Sequence, residues 1–203
     1  MRFRRKNIRL NALRYRGHEW FFITLCCEFR HRVFVNREWA ERLVGHLKST
    51  ATKYNFSVHA YCAMPDHFHA LVEGLRPDSD LLIFLKTFKQ STSREYSSAR
   101  GAPLWQKKFY DHILRPKDSP DAMSWYIWMN PVRKGLCSQP NEYPYSGSFT
   151  EHWETKSQPQ AEWIPARSRG RAPHANPAAS EETATTPKSE RALPNGVGQG
   201  PFA

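Results

Sequence analysis

"FSVHAYCAMPDHFHALVEGL", residues 56–75, sets the topology of the whole chain. Residues 56–64 alternate apolar and polar side chains as a strand does, and Pro65 and Asp66 supply turn chemistry. "HFHALVEGL" then continues as a second strand, so the two form a hairpin. On a strand, residues two apart point the same way, so His67 and His69 project together from one face while Phe68 goes to the core. Such a pair offers two nitrogen ligands to one ion. It also arises incidentally, and at this point both readings stand.

Working outward, "EWFFITLCC" (19–27) is aromatic and β-branched and follows Gly17, which suits a central strand. "REWAERLVGHLKSTATKYN" places Trp39, Leu43, Val44 and Leu47 at helical spacing, predicting a helix over about 37–53. Beyond the hairpin, "DSDLLIFLKTFKQSTSREY" opens on N-cap chemistry and repeats Leu82, Leu85 and Phe88, a second helix. "LWQKKFYDHILR" (104–115) holds a short fourth strand, and "SPDAMSWYIWMNPVRKG" starts a third helix at Ser-Pro that should end near Pro131. The order βαββαβα is the split βαβ of an α+β, ferredoxin-like fold: an antiparallel four-stranded sheet with helices on one face, the other face left for substrate.

Residues 1–150 carry 24 Lys and Arg against 13 Asp and Glu, while 151–203 carry 6 of each, so the net charge of +11 belongs to the first part. The opening "MRFRRKNIRL", with five cations and no acid, suits a polyanion, most commonly nucleic acid, although a merely soluble basic protein shares such a composition. Residues 151–203 contain seven of the fifteen prolines and no apolar periodicity, so we expect a domain over 1–150 and a disordered low-complexity tail. No run reaches the roughly 18–20 apolar residues of a membrane span, and the N-terminus lacks the apolar stretch of a signal peptide. The expected setting is cytoplasmic, nucleoid-associated and without membrane contact. Cys26, Cys27, Cys62 and Cys137 show no metal-binding spacing and read as small buried residues.

On the third helix, residues four apart share a face, which puts Tyr126 one turn from Asn130. An Asn carbonyl is a hard oxygen ligand, and a phenol is a nucleophile once deprotonated. Equally, Tyr126 can be an ordinary amphipathic residue and Asn130 a cap before Pro131.

Five blocks in order, "HEWFFITL", "YCAMPDHFHALVE", "LWQKKFYDHILR", "YIWMNPVRKGL" and "EYPYSGS", resemble the single-tyrosine, IS200-like HUH transposases, especially the REP-associated tyrosine transposases, over most of residues 15–150. The resemblance implies a metal-dependent transposase that cleaves and rejoins single-stranded or hairpin DNA of palindromic repeats. It makes Tyr126 the nucleophile, forming a covalent 5′-phosphotyrosine, and His67, His69 and Asn130 the ligands of Mg²⁺ or Mn²⁺. Related insertion-sequence enzymes tend to carry Gln where this chain has Asn130. Asp66 could orient a His67 ring nitrogen, or serve the turn alone.

Phosphate contacts are expected from Arg2, Arg4, Arg5, Lys6, Arg14 and Arg16, with Lys86, Lys89, Lys107, Lys108, Arg133 and Lys134 as further candidates. Trp105 and Tyr110 could stack on unpaired bases or belong to the core, and Tyr110 is the rival nucleophile. A non-cleaving hairpin-binding protein and an RNA-binding module of the same fold class remain the competing readings. Insertion-sequence relatives act as dimers and REP-associated ones as monomers, so the resemblance leaves monomer or dimer open, with monomer favoured.

Overall fold

The hairpin predicted from residues 56–75 is the centre of the molecule. In the computed structural model, which describes residues 12–161, 163 and 164, β2 (Phe56–Met64) and β3 (His67–Gly74) pair antiparallel from Phe56 opposite Gly74 to Met64 opposite His67. On the other side of β3 lies β1 (Trp20–Cys26), and beyond it β4 (Tyr110–Ile113). The expected four-stranded sheet has a fifth strand: β5 (Ser146–Gly147) pairs with Tyr61 and Cys62 on the outer edge of β2, giving the order β4-β1-β3-β2-β5. Every pair is antiparallel, and the first four strands interleave as the split βαβ requires.

Each of the first three α-helices starts where a side chain supplies the missing backbone acceptor. For α1 (Arg37–Lys53), Asn36 accepts from the Trp39 amide; for α2 (Leu81–Arg100), Asp80 accepts from Leu82 and Ile83; for α3 (Pro120–Trp128), Ser119 accepts from Ala122 and Pro120 fills the first turn. Gly101, at φ 66°, closes α2 in the left-handed region. The buried stripe of α2 runs through Leu81, Phe84, Leu85, Phe88 and Thr92, one position off the expected Leu82, which is half-buried.

Alternation along the strands builds two cores. Phe21, Ile23, Leu25, Phe68, Ala70 and Val72 face α1 and α2 with Phe84 and Phe88. On the opposite face Phe22, Leu71, Ala60, Cys62 and Met64 meet Met123, Ile127 and Trp128 of α3. A register shift between Val58 and Ala60 lets Val58 serve the first core and Ala60 the second. The helices therefore cover both faces, correcting the one-sided arrangement expected. The sequence of α3 is apolar around most of its circumference, so no stripe marks which sheet face it must cover.

Packing continues past residue 150. Trp153 is 5% exposed and stacks on Trp128 at 4.8 Å, and the Trp128 indole donates to the Gly147 carbonyl, tying β5 to the same core. Disorder expected from residue 151 thus does not describe 153–157, which are held by packing and by polar bonds; most of the expected tail, from 165 on, lies outside the described residues. No helix among the described residues is long and apolar enough to cross a membrane. The four cysteines are free, with Cys27 and Cys62 buried and Cys26 and Cys137 half-buried.

Candidate active site

Register places the two histidines on the α3 side of the sheet, His69 opposite Thr24 of β1 and His67 opposite Cys26. Phe68 between them is fully buried in the other core, as the alternation demands. Their rings are 4.7 Å apart and nearly perpendicular. Each ring is held through Nδ1: His69 shares a 2.8 Å hydrogen bond with the Thr24 hydroxyl, and His67 a 2.5 Å bond with the Asp66 carboxylate. A carboxylate only accepts, so the His67 Nδ1 carries a proton, and Nε2 is the ring atom that faces away from Asp66. Among the described residues no hydrogen bond reaches either Nε2.

Asp66 is fixed in turn by Arg30, 3.3 Å away. Phe29 and Arg30 both adopt left-handed backbone, φ 50° and 59°, an arrangement that costs non-glycine residues of order 1 kcal/mol each and recurs at functional sites. Burial opposes the charge on Asp66, but the hydrogen bond to His67 and the positive charge of Arg30 leave its carboxyl below the usual range. His69 is pushed well below an ordinary imidazole, first by burial and then by neighbouring cations, so it is neutral at neutral pH and able to ligate.

Tyr126 reaches the same place from α3. Its ring lies 6.2 Å from that of His69 and 5.9 Å from Phe22. The guanidinium of Arg133 stands 4.4 Å from the ring centroid and donates to the Tyr126 carbonyl. Burial raises the phenol above its usual value, while Arg133 pulls it back down. Tyr110, on β4 opposite Thr24, also contacts Phe22, at 6.1 Å. Sequence spacing gave this rival no partner, yet the fold brings it to the same face; the contact with His69 distinguishes Tyr126.

Asn130 behaves differently from the expectation of a shared point with Tyr126. Met129 interrupts the helix, and a short turn, α4 (Asn130–Arg133), carries Pro131 within it. The Asn130 amide donates to the carbonyls of Tyr126, at 2.9 Å, and Ile127, at 3.3 Å. It caps α3, and its Oδ1 is the atom left for another partner.

The basic candidates divide by their partners. Arg16 pairs with Asp80 at 2.8 Å, and Lys89 donates to the Gln106 carbonyl at 2.7 Å, so both secure the fold. Arg14, Lys86, Lys107, Lys108 and Lys134 are exposed. Arg2, Arg4, Arg5 and Lys6 lie outside the described residues. Trp105 is buried and donates to Thr92, a core residue. Thr24, Arg30 and the aromatic Trp163, which rests 5.2 Å from Tyr126, belong to the site and went unread in the sequence. Only strand register or tertiary folding brings them there.

Among the described residues no three His, Cys, Asp or Glu gather as a metal cluster. The candidate donors are the imidazoles of His67 and His69 and, from the turn that follows α3, the amide oxygen of Asn130, a set that would suit a divalent ion retaining several waters and sits closer to Mn²⁺ than to an all-oxygen Mg²⁺ site.

An antiparallel sheet with a paired-histidine face and a helix-borne tyrosine defines a class, and the sequence profile described as "Transposase IS200 like" matches residues 19–128. The chain belongs to the IS200-like transposase family, and REP-associated tyrosine transposases are among the sequences it is similar to. It is 25% identical over 138 residues to the Haemophilus influenzae protein named "Putative REP-associated tyrosine transposase", covering 62% of this chain and 77% of that one. An Escherichia coli REP-associated tyrosine transposase is 28% identical over 93 residues, 45% of this chain; this chain spans about half of it, 53%. The fold matches a REP-associated tyrosine transposase solved bound to a REP hairpin, with a TM-score of 0.54 at 22% identity over 72% of this chain and 81% of that one.

Proposed function

We propose that this protein cleaves and rejoins single-stranded or hairpin DNA of palindromic repeats, with Tyr126 as nucleophile. The observation that carries the reading is the Tyr126 ring lying beside His69 on the face from which His67 also projects. The hairpin-bound structural relative and the REP-associated sequence relatives support the substrate class. The domain doing this work is assigned to residues 1–150.

His67 and His69 would hold Mg²⁺ or Mn²⁺ through Nε2, with Asn130 Oδ1 as third donor. When bound, the ion polarises the scissile phosphate and favours the phenolate. Thr24 and the Arg30–Asp66 pair fix the imidazole orientations. A half-buried phenol, already above its usual pKa of about 10, is protonated at neutral pH, so it must lose its proton as it attacks. Arg133 over the ring favours the anion and holds the tyrosine backbone. Attack by Tyr126 Oη forms an O–P bond and breaks the bond from phosphorus to the 3′ oxygen, which leaves as a 3′-OH after taking up a proton. The phosphoester is retained as 5′-phosphotyrosine, so the reverse attack by a 3′-OH rejoins strands without a nucleotide cofactor. Arg14, Lys86, Lys107, Lys108 and Lys134 would meet phosphates.

The test is a covalent-adduct assay on labelled palindromic DNA with Mg²⁺ or Mn²⁺. An adduct in wild type that survives in Tyr110→Phe and is lost in Tyr126→Phe and in excess chelator is expected. Hairpin binding without any adduct would favour the non-cleaving reading, in which Asn130 is a helix cap and nothing more.

A further inference from the structure

We propose that Phe29, on the turn after β1, is a stacking platform for an unpaired base of the single-stranded DNA flanking a hairpin. The inference rests on the DNA reading above and adds to it a base contact outside the cleavage chemistry.

A single exposed apolar side chain is common on a protein surface. Phe29 combines 77% exposure with a backbone that resists it: at φ 50° it stands in the left-handed region, followed there by Arg30, where a bulky side chain is out of place and Gly or Asn is the ordinary occupant. Neither the core nor the turn calls for a phenyl ring here. The turn is nevertheless firmly framed. The Cys27 amide donates to the Asp66 carbonyl at 2.9 Å, the Glu28 amide to Leu104 at 2.8 Å, and the Gln106 amide to Cys26 at 2.9 Å. Within the turn, the Arg30 and His31 amides close on the carbonyls of Cys27 and Glu28 at 3.1 and 3.0 Å. The ring is displayed on a fixed support, which lowers the ordering cost of stacking on it.

Its surroundings select the ligand. Arg30, His31 and Arg32 follow directly and are exposed, with the His31 ring 5.8 Å from that of Phe29. Lys107 and Lys108, also exposed, continue from Gln106, whose side chain donates to the Cys27 carbonyl at 3.1 Å. An aromatic face among cations fits a polyanion that carries flat rings, which is single-stranded nucleic acid; a duplex keeps its bases stacked on one another and offers this turn only phosphates. A second copy of this chain is the poorer occupant, because a two-fold contact through Phe29 sets the same cations against themselves. The turn also adjoins the candidate site: Arg30 pairs with Asp66 at 3.3 Å, and Asp66 holds His67. A base on Phe29 is thus seated one residue from the arm that orients a candidate metal ligand.

The probes are a labelled hairpin with a single-stranded extension, carrying 2-aminopurine at each extension position in turn, and the same hairpin with a blunt end. Binding is measured by anisotropy in the full-length chain with Tyr126→Phe, which prevents cleavage. Adding Phe29→Ala should weaken binding of the extended hairpin about tenfold, the scale of one stacking contact, leave the blunt hairpin unchanged, and abolish the quenching of 2-aminopurine at one extension position. Phe29→Trp should keep both the affinity and the quenching. Phe29→Gly removes the ring while relieving the left-handed backbone, so it should weaken binding as Ala does and decides the matter if Phe29→Ala fails to fold. Equal binding of the extended hairpin by all these chains, an equal loss on the blunt hairpin, or a dimer that Phe29→Ala dissolves overturns the proposal. The two readings fail separately: ring-dependent binding with no adduct from the Tyr126 chain sinks strand cleavage and keeps the platform, while an adduct with Phe29 variants that bind alike does the reverse.

Discussion

The two faces of one sheet are built from alternate residues of the same strands, and they differ in kind. Toward α1 and α2 the sheet presents Phe21, Ile23, Leu25, Phe68, Ala70 and Val72, a dry layer against Phe84 and Phe88. Toward α3 it presents Phe22, Thr24, His67, His69 and Tyr110 among smaller apolar groups. Moving one position along β3, from Phe68 to His69, exchanges a side chain whose replacement removes packing for one held by a specific hydrogen bond. A strand whose inner side is already secured by a full core can carry polar, partly buried groups on its other side.

The sharpest way to break that division is Tyr126→Phe. It should abolish the protein–DNA adduct while leaving the melting midpoint within a degree or two, because the ring stays against Phe22 and only the hydroxyl goes; a large fall in melting temperature would show that the α3 face is also structural. Next in size is Phe68→Ala. Loss of a fully buried aromatic ring should destabilise the fold by about 3–5 kcal/mol in denaturant titration. The alanine variants of His67 and His69 should cost far less stability and yet lose cleavage. Asp80→Ala removes the α2 cap and the partner of Arg16 together, and should cost about 1–2 kcal/mol with cleavage per folded molecule unchanged. Smallest is Lys107→Ala, exposed and part of neither core, which should lower the slope of log affinity against log salt by about one without moving stability. No change in slope would remove it from the DNA path.

The packed face was the more legible of the two. The bounds of α1, β2 and β3 follow from periodicity and turn chemistry because both act within a few residues. The placement of α3 does not, since Met123, Trp125, Tyr126, Ile127 and Trp128 leave no polar side to mark its exposed surface. The helix was expected to end near Pro131, and it breaks at Met129, two residues before it, with the proline fitting inside the next turn. The strand β5 has two residues, too short for an alternation to show. In the site, the histidine pair and Tyr126 were named from local spacing and family resemblance. Thr24 needed the register of β1 on β3, Arg30 a left-handed kink, and Trp163 a return across the sheet that scattered aromatics in a proline-rich stretch do not announce.

The short outermost strands have a consequence for how the molecule tolerates crowding by its own copies. A sheet edge exposes unpaired amides and carbonyls that can recruit another strand, and the hazard grows with the length of straight edge on offer. Here one border is β4, four residues long, and the other is β5, two residues held under the Trp128 indole. The long, apolar strands β2 and β3, whose sequences would aggregate most readily if laid open, are both kept inside those borders. A change that strips β5 from the sheet, such as Trp128→Ala, therefore leaves the outer edge of β2 unpaired at Tyr61 and Cys62, and the resulting fault should be seen first as precipitation on concentration.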